Sequence, residues 1–199
     1  MTISEERLNK LIEERIKLNS NKKNIDDKIW ELFGEDWSIM FTDLSGFSRN
    51  TTKFGIIHFL QVIHESKTIM KPIIEENDGI LLKIEGDSML VIFRKPEKAL
   101  KASIEMQKSL IKYNKTKIKE EQVLLCIGLG YGKILKIGDS DVFGEEVNLA
   151  SKLGEDTAKS YEILVTQNFK NNCENNENLE FKEKEPIFEG SGNYYQVFY

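Results

Sequence analysis

Two aspartates carry the residue types and positions with the clearest chemistry in this sequence. Asp43 follows the apolar run 37–42 and precedes Leu44-Ser45-Gly46, and Asp87 lies in Glu85-Gly86-Asp87-Ser88. Each follows a β-type run at a turn-forming residue, so each carboxylate is expected at a strand end. Singly, either could cap a turn through its side-chain oxygens. Together they predict a divalent-cation site, because Mg²⁺ and Mn²⁺ prefer carboxylate and phosphate oxygens.

The apolar pattern predicts the elements that would bring these carboxylates together. It indicates strands at 37–42, 79–84, 88–93, 123–130 and 133–137, and helices within 47–76 and at 96–112. This is the β-α-β-β-α-β order of a ferredoxin-like α+β fold, an antiparallel sheet backed by helices. A short helix near 145–153 and strands near 163–166, 179–181 and 194–198 complete the prediction, with an exposed excursion at 168–178. In this fold the end of the first strand lies beside the central hairpin, so both aspartates should meet at one sheet edge.

The first 33 residues are charged and favour a helix. Leucine or isoleucine recurs every seven residues, at Leu11, Leu18, Ile25 and Leu32, but Arg15 and Lys22 interrupt the adjacent row. This weak heptad leaves three interpretations open: a coiled coil that pairs two chains, a helix packed on its own domain, or a frayed arm. The predicted division is therefore an N-terminal helix at 1–33 and a main domain at 34–199.

Composition excludes several classes of protein. A chain of 199 residues with 40% hydrophobic content supports one compact domain. A formal net charge of −5 argues against a surface built to bind duplex nucleic acid. The two cysteines, Cys126 and Cys173, form no disulfide framework, which fits a reducing cytosol. No apolar run approaches the roughly 18 residues that a membrane span needs, so a soluble, cytoplasmic protein with no membrane partner is expected.

Four segments, at 41–47, 83–87, 127–132 and 141–153, occur in an order that resembles the catalytic domain of class III nucleotidyl cyclases, the adenylate and guanylate cyclase family. The resemblance implies two divalent ions, Mg²⁺ or Mn²⁺, held by Asp43, Asp87 and the backbone carbonyl of Leu44. One ion would activate the ribose 3′-hydroxyl and the other would anchor the triphosphate. The loop amides of Ser45, Gly46 and Phe47 are expected to contact phosphates.

The resemblance also implies a site shared between two subunits. Lys83 and Asp141 would face the purine, and a lysine donor with a carboxylate acceptor favours ATP over GTP. Asn148 would orient the ribose, while Lys152 stands where the family carries an arginine that neutralises phosphate charge. Glu189 stands where many active members have a lysine. A lysine lacks the bidentate fork of arginine, so a reduced rate is expected.

The sequence therefore predicts a homodimeric adenylate cyclase that converts ATP to 3′,5′-cyclic AMP and pyrophosphate. One alternative keeps the reaction and changes the base to guanine or a pyrimidine. The other is a catalytically weak or silent nucleotide-binding dimerisation module, which Lys152 and Glu189 favour.

Overall fold

The computed structural model of the chain describes residues 2–46, 54–173, 179–186 and 191–199. It confirms the predicted α+β fold and its β-α-β-β-α-β order. The core elements are β1 (Gly34–Leu44), α3 (Ile56–Glu76), β2 (Ile80–Glu85), β3 (Ser88–Phe93), α4 (Pro96–Asn114) and β4 (Leu125–Ile137). They are followed by β5 (Asp141–Phe143), α5 (Glu145–Ser151), β6 (Ile163–Thr166), α6 (Gln167–Asn172), β7 (Glu180–Lys184) and β8 (Tyr194–Phe198).

The described strands form one sheet in the order β2-β3-β1-β4-β6-β8-β7, with β5 paired to β4. All pairs are antiparallel except β4 with β6. Alternate residues of β1 face opposite sides of the sheet. Met40 and Leu44 join the core under α3 and α4, whereas Trp37 and Ile39 join the core under α5. Asp43 shares the odd-numbered face, so its carboxylate belongs to the α5 side.

The N-terminal segment is two helices, α1 (Ile3–Arg15) and α2 (Lys22–Phe33), so the prediction of one helix over 1–33 was wrong. The chain turns at 16–21, where Asn21 caps α2 by accepting a hydrogen bond from the Asn24 amide. Leu11 and Ile25 are buried with Ile137 at the end of β4. Leu18 lies in the turn, fully exposed. The hairpin therefore packs on its own domain, and a role in pairing two chains stays a prediction.

Strand pairing and close packing explain two departures from the predicted elements. β4 runs without a break through 131–132 because β1 pairs with it there, Ser38 opposite Tyr131 and Trp37 opposite Gly132. α5 lies directly on this strand, since a Cβ on Gly128 would come within 2.2 Å of the Ala150 carbonyl oxygen. After α5 the chain continues as a π-helical turn, Lys152–Thr157, rather than ending near 153. The predicted excursion at 168–178 begins as α6, whose Phe169 is completely buried, and residues 174–178 lie outside the described part of the chain.

Candidate functional site

The fold brings Asp43 and Asp87 together, as the sequence predicts. The β1–β3 register places Thr42 opposite Met89, so the turn between β2 and β3 lies beside the end of β1. Gly86 takes a positive φ of 60° in that turn, a conformation that glycine adopts without strain. The Ser88 hydroxyl donates a hydrogen bond to Asp43 Oδ1 at 3.2 Å. The hairpin turn and the strand end thus form one acidic edge.

Burial makes this acidic edge electrostatically costly. It raises the pKa of Asp43 to about 6, and the negative charge of Asp87 adds to the effect. Burial also raises the pKa of Asp87, against backbone hydrogen bonds from Asp87 itself and Leu44 that lower it. The charge of Glu155 contributes to both increases. A bound cation would offset this accumulation of negative charge.

The donor set fits a divalent ion bound by oxygen. Asp87 Oδ2 is buried and accepts no hydrogen bond within the described ranges, so it has an unused lone pair at the acidic edge. Those same ranges contain no cluster of three or more His, Cys, Asp or Glu side chains arranged to hold a metal. A cation here would be held by the two aspartates, the predicted Leu44 carbonyl, and oxygens supplied by a ligand or water.

The loop that follows β1 was predicted to contact phosphates. The Ser45 amide already donates to the Leu124 carbonyl oxygen at 2.8 Å, so it could serve a phosphate only by exchanging that bond. Gly46 adopts a positive φ of 88°, and its contact with phosphate stays a prediction. Phe47 lies outside the described residues.

Lys83 and Asp141 meet directly, although 58 positions separate them in the sequence. Lys83 Nζ lies 2.5 Å from Asp141 Oδ2, and Asp141 Oδ1 accepts the Val142 amide at 2.9 Å. Both side chains are about one-third exposed. They line a pocket of about 190 Å³ whose other walls include Phe41, Leu90, Val142 and Val147, with Glu85, Ser88 and Glu155 at its polar side. Apolar walls with a few charged groups are typical of small-molecule sites.

Asn148 and Lys152 lie one turn apart, since the Lys152 amide donates to the Asn148 carbonyl. Both side chains are exposed, Asn148 on α5 and Lys152 at the start of the π-helical turn that follows it. The buried Glu146 anchors the same helix: its carboxylate accepts from the Tyr131 amide at 3.1 Å, the Thr166 hydroxyl at 2.7 Å and the Asn168 amide group at 2.7 Å. Burial raises the pKa of Glu146. α5 is thus fixed to β4, β6 and α6.

Three residues of the site escaped the sequence analysis. Ser88 had a local signal, since it follows Asp87 in the predicted hairpin turn. Glu146 and Glu155 had none: the first owes its role to donors on other elements, and the second reaches the pocket through the π-helical turn. Glu189 lies outside the described residues.

Comparison with known proteins gives a family for this arrangement. The family model described as adenylate and guanylate cyclase catalytic domain matches residues 34–198. The putative adenylate cyclase 3 of Rhizobium meliloti is 25% identical over 116 residues, which are 58% of this chain and 20% of that protein. The serine/threonine-protein kinase pkn2 of Myxococcus xanthus is 26% identical over 133 residues, 67% of this chain and 16% of that protein.

Solved structures share the fold. An adenylate/guanylate cyclase/hydrolase from Silicibacter pomeroyi superposes with a TM-score of 0.69 at 21% identity, covering 82% of this chain and 95% of that one. The adenylyl cyclase CyaB from P. aeruginosa gives 0.67 at 21% identity, with 83% and 94% covered. The guanylyl cyclase Cya2 gives 0.66 at 18% identity, with 82% and 90% covered.

The chain spans less than a third of the length of the curated relatives just named. Within its described residues, no helix is both long enough and apolar enough to cross a membrane.

Proposed function

The chain belongs to the adenylate and guanylate cyclase catalytic-domain family, and we propose that it converts ATP to 3′,5′-cyclic AMP and pyrophosphate. The observation that carries this proposal is the half-buried acidic edge of Asp43 and Asp87, where the buried Asp87 Oδ2 has no hydrogen-bond partner among the described residues. The apolar pocket that contains Lys83 and Asp141 lies on the same side of the sheet. The acidic edge therefore offers ligands for cations, and the pocket offers apolar walls for a nucleotide base.

Each side chain of the site has a proposed role in this reaction. Asp43 and Asp87, both ionised, would hold two Mg²⁺ or Mn²⁺ ions. When bound, such ions lower the pKa of the ribose 3′-hydroxyl and offset charge on the triphosphate. Asn148 would hold the ribose in position for in-line attack on the α-phosphorus, and Lys152 would donate to the phosphate oxygens as negative charge develops.

Lys83 and Asp141 would determine which nucleotide base is bound. Adenine presents a ring-nitrogen acceptor beside an amine donor, which a lysine and a carboxylate can satisfy together. In this structure the two side chains bond to each other, so an adenine ring would enter their ion pair and share both groups. Support from relatives is divided, because the proteins similar to this chain include a putative adenylate cyclase and a guanylyl cyclase. Guanine or a pyrimidine is therefore the alternative base.

We place the complete site between two copies of the chain, in which the cations are held by one subunit and the base by the other. Among the solved relatives, the guanylyl cyclase domain of the RhoGC fusion protein from Blastocladiella emersonii is described as dimeric in one structure and as monomeric in another. Dimerisation of this chain therefore needs its own test, the mixing of two inactive variants.

The test is turnover of ATP with Mn²⁺ by the wild type and by Asp43→Ala and Asp87→Ala. Wild type should form cyclic AMP, and each variant should lose activity on the order of 10³-fold, because the cations lose half of their protein carboxylates. Asp139→Ala is the matched control: it removes an acidic side chain that is 87% exposed and pairs with Lys136. Absence of cyclic product from wild type, or full activity in Asp43→Ala, would refute the proposal.

Competition among ATP, GTP, CTP and UTP in one reaction identifies the base. A dominant cyclic AMP product is expected, and another dominant product would move the proposal to that nucleotide. Calorimetry distinguishes the silent binding module that Lys152 and Glu189 favour. Metal-dependent nucleotide binding with no turnover would support that module and contradict the cyclase.

A further inference from the structure

The N-terminal hairpin forms a second concave region against β4 and β5, separate from the pocket of Lys83 and Asp141. Its volume is about 460 Å³, within the range of roughly 300–1,000 Å³ that is usual for small-molecule sites. The walls come from three parts of the chain, namely α1 with its following turn, α2, and the β4–β5 pair. Six of the apolar lining residues are Leu8, Ile12, Ile16, Trp30, Leu135 and Phe143.

Large apolar side chains in this groove remain open to solvent. The exposed fraction is 74% for Ile16, 49% for Phe143, 42% for Ile12 and 38% for Trp30. The adjacent row of the same hairpin, which includes Leu11 and Ile25, is buried against Ile137. The hairpin thus covers one apolar row and leaves the next uncovered. Contiguous exposed apolar surface with polar neighbours marks a binding surface more often than chance would give.

Arg15 lines the groove together with its ion-pair partner Asp26, and a second cation, Lys133, lies next to the lining residue Trp30 without lining the groove itself. Arg15 donates through Nε and Nη2 to both oxygens of Asp26, at 2.5 and 3.1 Å, and Arg15 Nη1 makes no hydrogen bond in the described part of the chain. Lys133 Nζ lies 5.5 Å from the centroid of the Trp30 ring, and no carboxylate of the described ranges forms a salt bridge with it. Because guanidinium and ammonium groups only donate, the donors left over are complementary to an anion.

We propose that this groove binds a free small molecule with an apolar body and a single carboxylate head group. The body would cover Ile12, Ile16, Trp30 and Phe143, while the head would accept hydrogen bonds from Arg15 Nη1 and be attracted by Lys133. A concave site of this volume suits a small ligand better than a second protein surface, since a standard interface needs about 800 Å² from each partner. The inference stands whether or not the chain cyclises ATP.

The test titrates the full chain with decanoate below its micelle-forming range, using calorimetry and tryptophan fluorescence. Decanol and decyltrimethylammonium are the matched neutral and cationic probes. Decanoate should bind once per chain and on the order of tenfold more tightly than decanol, because its head group makes charge-assisted hydrogen bonds. Arg15→Gln should remove that difference and leave decanol binding unchanged. Trp30→Phe should abolish the fluorescence change, since the other tryptophan, Trp37, is buried.

Two variants of the α1–α2 turn separate the groove from general surface effects. Ile16 lines the groove, whereas the neighbouring Leu18 does not. Both side chains are exposed, so Ile16→Glu and Leu18→Glu should unfold at nearly the wild-type temperature. Ile16→Glu should abolish decanoate binding and Leu18→Glu should preserve it.

Three results would overturn the proposal. The first is equal binding of all three probes, which indicates non-specific adsorption. The second is undiminished binding by Ile16→Glu. The third is no decanoate binding by wild type; if Ile16→Glu then also changes the oligomeric state, the groove is an interface between copies of the chain.

Discussion

At the scale of single residues, the carboxylates of the acidic edge destabilise the cation-free fold and are the same groups that would bind cations. In the cation-free chain the pKa of Asp43 is raised from 3.8 to about 6, first by burial and then by the charge of Asp87. A carboxyl group whose folded-state pKa is raised stabilises the fold below its unfolded pKa, and that contribution is lost as pH rises through the folded pKa. Near neutral pH, Asp43 therefore opposes folding until a cation is bound.

Asp43→Asn should reveal this cost in the presence of a chelator. Above about pH 7 the free energy of unfolding of the variant should exceed that of wild type by on the order of 1 kcal/mol, a value discounted for solvent screening. The difference should shrink as pH falls through about 6 towards 4, because Asp43 then becomes neutral in wild type as well. Urea unfolding across this pH range measures it.

Saturating Mn²⁺ provides the control for this experiment, since binding to the native state alone raises its stability. Wild type should gain more than Asp43→Asn does. A difference between the two proteins that stays constant with pH would show that Asp43 does not titrate in this range.

Lys152 is the residue at which the chain departs from the family pattern inside the described site. Lys152→Arg should raise kcat on the order of tenfold with little change in KM, because a guanidinium can hold two phosphate oxygens while an ammonium acts as a point charge. Steady-state kinetics with ATP and Mn²⁺ measure the change.

Lys159→Arg makes the same exchange at another exposed lysine and should leave kcat unchanged. Glu189→Lys, alone and combined with Lys152→Arg, tests the second departure. If Lys152→Arg leaves kcat at the wild-type value, the lysine at this position does not limit the rate.

At the scale of elements, α5 depends on one buried carboxylate. Glu146 accepts hydrogen bonds from the Tyr131 amide, the Thr166 hydroxyl and the Asn168 side chain, and Gly130 leaves space for its backbone. Since Asn148 lies on α5 and Lys152 opens the π-helical turn that continues directly from it, this anchor should set where both lie. Glu146 acts as a positioning residue in this account and contacts no substrate.

Glu146→Ala should lower the free energy of unfolding by about 2 kcal/mol or more, because buried donors lose their acceptor. It should also lower kcat more than it raises KM for ATP, because Asn148 and Lys152 lose their alignment while the base pocket stays intact. Glu146→Gln keeps the volume and one acceptor, so it should retain most of both quantities. Urea unfolding and steady-state kinetics on the same preparations test this, and equal loss in the Ala and Gln variants would contradict the anchoring role.

The elements that could be predicted from sequence are those defined by local pattern. Strand β3 matches its predicted bounds because an apolar run begins directly after the Gly86-Asp87 turn. The prediction of one N-terminal helix failed because heptad spacing indicates which side chains are buried together and not whether the helix is continuous. Leu11 and Ile25 do share a core, although the chain turns between them. The capping residue Asn21 was the local signal of that turn.

The parts of the site that could not be predicted depend on contacts distant in sequence. The π-helical turn packs Gly154 so closely that an added Cβ would lie 2.7 Å from the Phe41 carbonyl oxygen, and this turn brings Glu155 to the pocket. The resemblance assigned Lys83 and Asp141 to one base, but their direct ion pair depends on the fold that carries β2 and β5 to the same pocket. Periodicity within a segment holds no information about either contact.

At the scale of the whole molecule, the central question is whether one chain holds a complete site. Within one chain, the described structure contains both the acidic edge and the pocket of Lys83 and Asp141. The proposed dimer pairs the acidic edge of each subunit with the pocket and α5 of the other. Two sites are then formed, and each needs residues from both copies.

Mixing two inactive variants tests this arrangement. Asp87→Ala removes a cation ligand and Asn148→Ala removes the ribose contact. If subunits exchange freely, half of the dimers contain one copy of each variant, and one of the two sites in such a dimer has both residues intact. The 1:1 mixture should therefore recover roughly a quarter of wild-type activity, as expected for a symmetric dimer with shared sites.

A mixture of Asp87→Ala with Asp43→Ala is the control, because both changes lie in the same half of the site and every site in that mixture has a damaged acidic edge. Recovery in the control, or none in the test mixture despite subunit exchange, would refute the shared site.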